Sequence, residues 1–285
     1  NSNVNSMLRI KTKYLYVLVC FIALNKLFTQ EVVTDIALSK KLDETSGLEM
    51  VNNTLITIND SGNKPVLFYL DKKGNILNER KLDCCKNNDW ESLAADKNHI
   101  YIADFGNNYD TRKNLSIIKI PIQKSSNEIA EVINFSYPEQ KKFKRIYRRS
   151  EYDAEALISF EDKLLIFTKN KRKKITEIYS LPKNAGNYQA KKIGSLNTDS
   201  IVTGGDYDKA TNTLALTSTI KFDEYYVLII SDFSLNNKNQ KIDMYEIPIG
   251  KTQVEAIKII DPTTFWITSE DEKSSSAARL MKFKL

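Results

Sequence analysis

Histidine and cysteine are scarce in this 285-residue chain, and this scarcity argues against several kinds of site. The only histidine is His99, which argues against zinc sites rich in histidine and weakens any Ser-His-Asp interpretation. Downstream of Cys20, the only cysteines are the adjacent Cys84 and Cys85. We interpret this pair as reduced, because a disulfide between neighbours strains the backbone; a vicinal disulfide in an oxidising compartment is the alternative.

The first 29 residues have the pattern of a secretory signal peptide. A basic stretch precedes an apolar run, Tyr14 to Leu24, that is too short to span a membrane. Met7 is the expected start of the protein, which makes residues 1–6 upstream read-through. We therefore expect a protein without a membrane span that is secreted or periplasmic after cleavage, with residues 30–285 forming a single domain.

Excess charge of one sign is also missing once that segment is removed. The chain has a net charge of +6, and the N-terminal segment carries four basic residues and no acidic one, which leaves about +2. A globally basic nucleic-acid binder is therefore not indicated. We expect a monomer whose partner is a small molecule.

Five copies of one unit occupy the rest of the chain. Each copy has an acidic or hydroxyl residue ahead of alternating apolar residues, and strand-like runs separated by turn residues follow it. Helical periodicity is absent from this part of the sequence. The copies begin at Glu44, Asp89, Tyr152, Val202 and Val254.

The fifth copy lacks one strand, and a spare strand is present at the other end of the domain. Each complete copy supplies four strands, whereas the last ends after three with RLMKFKL. Residues Glu31 to Leu42 can supply the fourth and close a ring without exposed edges. The sequence therefore predicts an all-β, five-bladed β-propeller with four antiparallel strands per blade. A six-bladed ring, with a blade hidden between Glu91 and Glu155, is the alternative.

The start of the innermost strand of each blade faces the central channel, and there every copy places an oxygen-bearing side chain. Three carboxylates in a narrow channel repel one another and are costly to desolvate unless a cation lies among them. Oxygen ligands favour calcium, or magnesium, over zinc. The alternative is that the carboxylates cap backbone N–H groups or face water. The candidate metal ligands are Ser46, Glu91, Glu155, Thr203 and Glu255.

Polar residues at the ends of the second strands converge on the same face of the propeller. Two basic runs, Lys141–Arg149 and Lys169–Lys174, flank the third blade there. Solvated loops are one explanation of these runs, and a site for a small anionic or phosphorylated ligand is the other. Asp60, beside Asn59, ends the second strand of the first blade. The candidate ligand-binding residues are Asn59, Asp104, Asn107, Asn108, Lys169, Arg172 and Lys174.

Two groups of proteins resemble this sequence. The segments NDSG, DWES, DFGNN, DAEAL and TGGDY resemble secreted propellers of Bacteroidetes-type bacteria without an assigned activity, over nearly all of the chain after the N-terminal segment. The ring of serine, glutamate and threonine is similar to that of the calcium-dependent apyrases, soluble nucleotidases with a central calcium, although Thr203 stands where that family has serine. The second resemblance implies that Asp60 takes part in catalysis and that basic residues of the third blade reach the site.

Three functions follow as hypotheses. The first is a secreted propeller that binds an anionic ligand on its channel face beside a central cation. The second is a metal-dependent phosphohydrolase, in which Asp60 or Glu91 orients water and the basic loop stabilises charge. The third is a scaffold for protein or glycan interactions, which would tolerate loss of the clustered carboxylates.

Overall fold

The computed structural model describes most of the chain after the predicted signal peptide. That peptide, residues 1–29, lies outside the described residues, as do residues 146–148 of the first basic run. In the part that is described, no helix is long and apolar enough to cross a membrane. The described residues are 30–123, 130–145, 149–237, 239–250, 252–271 and 277–285.

Strands make up almost all the regular structure in these ranges, with a single short 3-10 turn at Lys40–Leu42. Val, Ile, Leu and aromatic residues dominate the strands, and Asn, Asp or Gly residues occupy many of the turns. The strands are β1 (Glu31–Ala37), β2 (Thr45–Val51), β3 (Thr54–Asn59), β4 (Val66–Leu70), β5 (Ile76–Lys81), β6 (Trp90–Ala95), β7 (His99–Asp104), β8 (Leu115–Pro121), β9 (Glu131–Ser136), β10 (Ala154–Phe160), β11 (Lys163–Thr168), β12 (Thr176–Pro182), β13 (Gly186–Gln189), β14 (Lys191–Leu196), β15 (Ile201–Asp208), β16 (Thr213–Thr219), β17 (Tyr225–Ile230), β18 (Asp243–Glu246), β19 (Val254–Asp261), β20 (Thr264–Ser269) and β21 (Arg279–Lys284).

The strands form five sheets, and in each sheet four antiparallel strands make one blade of a propeller. Blade 1 is β2-β3-β4-β5, blade 2 is β6-β7-β8-β9, and blade 3 is β10-β11-β12-β14. Blade 4 is β15-β16-β17-β18, and blade 5 is β19-β20-β21-β1. Five blades, rather than six, are confirmed. One strand was not predicted: β13 adds to blade 2 by parallel pairing with β9, so that Tyr188 lies opposite Phe135.

The N-terminal strand closes the ring, as the sequence predicts. β1 pairs antiparallel with β21, with Val32 opposite Phe283 and Ile36 opposite Leu280. The guanidinium of Arg279 donates to the Asp35 carboxylate across this pair, with Nε 2.8 Å from Oδ1. The outer edge of the last blade is therefore formed by β1, the first described strand, and β1 and β21 stabilise each other.

The hydrophobic core lies between neighbouring blades. One cluster joins blades 2 and 3 around Tyr101, Phe105 and Tyr179, and another joins blades 3 and 4 around Phe167 and Phe233. The first two strands of each blade are almost entirely buried, whereas outer strands such as β9 alternate between exposed and buried residues. This packing holds the innermost strands, β2, β6, β10, β15 and β19, rigidly around the channel.

Candidate functional site

Each innermost strand contains a one-residue register shift near its start. The unpaired residue is Glu91 in blade 2, Glu155 in blade 3, Thr203 in blade 4 and Glu255 in blade 5. In blade 1 the shift falls at Gly47, directly after Ser46. Bulges re-aim side chains and occur often beside functional sites. Four of the five predicted ring residues therefore occupy matching positions, and Ser46 lies one residue before the shift.

Two further carboxylates extend the predicted ring. Asp89 and Asp153 each precede a ring glutamate by two residues, in the repeated pattern Asp-x-Glu. Carboxylate oxygens of Glu91, Asp153 and Glu155 lie within 4.8 Å of one another, and the same holds for Asp60, Asp89 and Glu91. Glu91 belongs to both groups. The repeated Asp-x-Glu pattern in DWESL and DAEAL is the sequence signal for these two aspartates, which were not among the predicted ligands.

Burial and mutual repulsion raise the pKa values of this cluster. Burial, followed by the charge of Glu155, raises the pKa of Glu91 well above its usual range. Burial raises the pKa of Asp89 to about 7, with a further contribution from Asp60. For Glu155, burial outweighs the ammonium of Lys169 and raises the pKa to about 7. The positive charge around these carboxylates is therefore too small to stabilise all of them in the ionised form at neutral pH.

Two lysines of the third blade supply part of that charge. Lys169 follows β11, and its ammonium lies 2.5 Å from Oε1 of Glu155. Lys171 lies 3.1 Å from Oδ2 of Asp153 and also donates to Asn108, at 2.7 Å. The sequence placed Lys169 in an anion site, and the structure places its ammonium against the acidic ring. Burial alone would lower the pKa of Lys169, but the negative charges around its ammonium, first those of Glu155 and Glu255, outweigh burial and raise this pKa well above its usual range.

Arg112 compensates the carboxylates on the side of blade 2. Its guanidinium donates to Asp104, 2.7 Å away, and to the carbonyl of Gly106, 2.8 Å away, and lies 3.9 Å from Asp89. Gly106 lets these side chains approach the loop, because a Cβ at this position would collide with the carboxylates of Glu91 and Asp89 unless they moved. Sequence reasoning missed Arg112, since a single arginine in a loop carries no pattern.

Asp104 and Asn59, both predicted to bind ligand, hold the loops that shape the site. Asp104 is buried and accepts the N–H of Asp89 and the side-chain amide of Asn88 in addition to Arg112. Asn59 donates to the carbonyl of Lys41, and its buried Oδ1 has no hydrogen-bond partner in the described part of the chain.

Asp60 lies half-buried at the end of β3, beside the second carboxylate group. Its carboxylate accepts the N–H of Ser61. Burial raises the pKa of Asp60, although the Ser61 N–H opposes the shift. The side-chain amide of Asn87 donates to the carbonyls of Asn59 and Asp60, at 2.9 and 2.8 Å. The candidate catalytic residue therefore adjoins Asp89 and Glu91.

The other ring residues surround this cluster. Ser46 donates its hydroxyl to the backbone carbonyl of Glu91, at 2.7 Å, which joins blades 1 and 2. Thr203 lies 3.1 Å from the hydroxyl of Thr217. Burial raises the pKa of Glu255, although Lys169 opposes the shift. The described structure thus brings Glu91 and Glu155 together in one potential group of metal ligands, whereas Glu255 lies outside that group and interacts with Lys169 only through its charge.

A cavity of about 940 Å³ opens beside the carboxylates. Its polar lining includes Lys169, Lys171 and Lys174, together with two residues of the ring, Thr203 and Glu255. The apolar part of the wall comes from blades 2 and 4. These lining residues are Tyr109, Ile201, Ile220, Phe222 and Tyr225.

The remaining predicted ligand-binding residues are Asn107, Asn108 and Arg172, and they have three different surroundings. Asn108 lines the cavity. Asn107 is buried and supports the loop, because its N–H donates to Asp153 at 2.8 Å and its side chain accepts from the N–H of Arg112 at 2.9 Å. Arg172 is 63% exposed and pairs with Glu151 at 2.7 Å.

Comparison with known proteins identifies the fold. No protein-family model matches the sequence, and no curated protein matches it. The PQQ-bound aldose sugar dehydrogenase of Streptomyces coelicolor is 9% identical, with a TM-score of 0.51 over 90% of this chain and 98% of that one. A hypothetical protein from Leishmania major is 10% identical, with a TM-score of 0.50 over 95% and 94% of the two chains. The calcium-binding protein regucalcin of Agrobacterium tumefaciens is 12% identical, with a TM-score of 0.43 over 90% and 95%. At such low identity the similarity concerns the fold alone, and the chain is a β-propeller.

Proposed function

We propose that the channel face of this propeller binds a small anionic ligand together with a divalent cation of the calcium type. The observation that carries the proposal is the double role of Lys169 and Lys171. Each pairs with a carboxylate of the Glu91, Asp153 and Glu155 group, and each also lines the cavity. Cation site and anion site therefore share residues.

The carboxylate group fits a calcium ion. Calcium lies about 2.4 Å from its oxygen ligands, so ligands on opposite sides of one ion are about 4.8 Å apart. The oxygens of Glu91, Asp153 and Glu155 meet this limit. The cation would hold these three carboxylates ionised, and oxygen donors without nitrogen or sulfur favour calcium or magnesium.

Binding of the cation would also prepare the cavity for an anion. A divalent ion among the carboxylates would take over the charge that Lys169 and Lys171 now neutralise, and it would repel their ammonium groups. Those groups would then be available to an anion beside Lys174, which has no acidic partner within ion-pair distance in the described ranges. Ammonium groups and a bound cation both attract phosphate or carboxylate.

Thermal unfolding with calcium, magnesium or chelator tests the cation. We expect calcium to raise the Tm by mass action. A variant with Glu91, Asp153 and Glu155 changed to Gln should lose this effect, whereas Glu131→Gln, on the exposed face of β9, should keep it. Identical melting of the natural protein in calcium and in chelator would overturn the cation site.

Titration of inorganic phosphate in calcium tests the anion site. Replacing Lys169, Lys171 and Lys174 with Ala should abolish binding, whereas Lys72→Ala with Lys73→Ala, in an exposed turn of blade 1, should not. Equal binding by both variants would remove the case for an anion at this cavity.

A metal-dependent phosphohydrolase is the second candidate, and the position of Asp60 favours it. The carboxylate of Asp60 lies close to those of Asp89 and Glu91. It would therefore lie beside a bound cation, where it can orient water. Asp60→Asn should then lower kcat more than it raises KM in a screen of nucleotides and phosphate esters with calcium or magnesium. The absence of turnover with either metal would leave binding as the function.

A further inference from the structure

Phe222 lines the cavity in a conformation that is unfavourable for folding. It lies in the turn between β16 and β17, where its side chain is 57% exposed and its φ is 64°. Bulky residues rarely adopt this left-handed conformation. The turn is nevertheless well fixed, because Thr219 accepts the N–H of Phe222 at 2.8 Å and donates to the carbonyl of Glu224 at 2.9 Å. Strain of this kind, combined with an exposed aromatic ring, is typical of a binding site.

A second aromatic ring lines the cavity from another blade. Tyr109 follows β7 in blade 2 and is 39% exposed, with the guanidinium of Arg145 stacked 4.1 Å from its ring centre. The basic loop of blade 3 lies between the blades that carry Tyr109 and Phe222. Lys174, in that loop, also has a left-handed φ of 53°. The cavity therefore combines aromatic walls with ammonium groups from the blade between them.

We propose that the ligand of this cavity is an aromatic or heteroaromatic acid, with a planar ring joined to a phosphate-like or carboxylate group. Phe222 and Tyr109 would contact the ring, and Lys174 and Lys171 would hold the acid. This inference rests on the proposed anion site and adds the class of ligand. Ring contacts favour such a ligand over an alkyl acid of equal charge.

Calorimetric titration with phenylphosphonate and methylphosphonate, in calcium, tests whether the cavity binds an aromatic ring. The two probes carry the same acid and cannot be hydrolysed as esters. We expect phenylphosphonate to bind about tenfold more tightly to the natural protein. Phe222→Gly should remove this preference while leaving the affinity for methylphosphonate unchanged, and its Tm should stay equal or rise, because glycine relieves the left-handed strain.

Two further variants make the test specific. Asp232→Gly changes another exposed residue with a left-handed φ, 50°, outside the cavity lining, and it should leave both affinities unchanged. Tyr109→Leu should reduce the preference for the phenyl probe. Equal binding of the two probes to the natural protein would overturn the aromatic ligand and leave the anion site standing. If neither probe binds, both the aromatic ligand and the anion site are overturned.

Discussion

At the residue scale, Lys258 is a half-buried cation that joins three blades. It lies on β19 and pairs with Glu49 on β2 and with Asp206 on β15, whose Oδ1 is 3.0 Å away. Asp206 also accepts the N–H of Ile259, at 2.8 Å. Lys258→Met would leave two buried carboxylates without their cation, and we expect it to lower the free energy of unfolding by about 3–5 kcal/mol.

Urea unfolding measures this effect. Lys81→Met is the matched control, because Lys81 pairs with Asp83 at an exposed position and should change stability by less than about 1 kcal/mol. Equal stabilities of the two variants would contradict a structural role for the Lys258 pair.

The raised pKa values of the carboxylate cluster predict how stability depends on pH. In chelator, Asp89 and Glu155 each have a pKa of about 7 in the folded protein, above that of the unfolded chain. The folded state therefore binds more protons between about pH 4 and pH 7, and stability should fall as the pH rises through this window. Calcium should remove the fall, because it holds the carboxylates ionised.

The measurement is the Tm from pH 5 to pH 8 in chelator and in calcium. The Glu91, Asp153 and Glu155 to Gln variant serves as control, since its Tm should depend less on pH in chelator and should be the same in calcium as in chelator. A Tm in chelator that rises between pH 5 and pH 7 would contradict the raised pKa values.

At the scale of elements, β1 closes the ring, and its loss should open the edge of β21. Deletion of residues 30–38 removes the whole antiparallel pairing of β1 with β21 and the ion pair of Asp35 with Arg279. We expect aggregation or loss of cooperative unfolding, measured by calorimetry and light scattering, because unpaired edges associate.

Strand β13 gives the contrasting case. It adds only four residues, Gly186–Gln189, to the edge of a blade that already has four strands. Shortening this segment to a glycine linker should therefore lower the Tm but keep unfolding cooperative. If the β1 deletion unfolds as cooperatively as this variant, ring closure is not essential to the fold.

The alternating apolar residues are sufficient to predict the strands of the five blades, but they do not predict β13. Repeat spacing and strand count predicted five blades and their closure, because antiparallel neighbours along the chain follow local signals. β13 pairs in parallel with β9 across a long sequence separation, and its sequence, GNYQ, has little strand preference. In the site, the ring positions followed from the repeat. The inward turn of Lys169 depends on contacts between loops, which sequence periodicity does not specify.

At the scale of the whole molecule, cation and anion should bind cooperatively. Lys169 and Lys171 cannot neutralise Glu155 and Asp153 fully and bind an anion at the same time. A cation that replaces the two ammonium groups at these carboxylates should therefore raise the affinity for the anion. Phosphate affinity should therefore rise between about fivefold and 150-fold in calcium, and phosphate should raise calcium affinity by the same factor.

Two calorimetric titrations, each run with and without the other ligand, measure this coupling. Lys169→Met with Lys171→Met is the matched variant: it should bind calcium more tightly, because no ammonium competes for Glu155 and Asp153, and the coupling should shrink. Arg172→Met, which changes an exposed residue of the same loop, should keep it. Phosphate affinity that is the same in calcium and in chelator would show that the two sites act independently and would contradict the shared role of the two lysines.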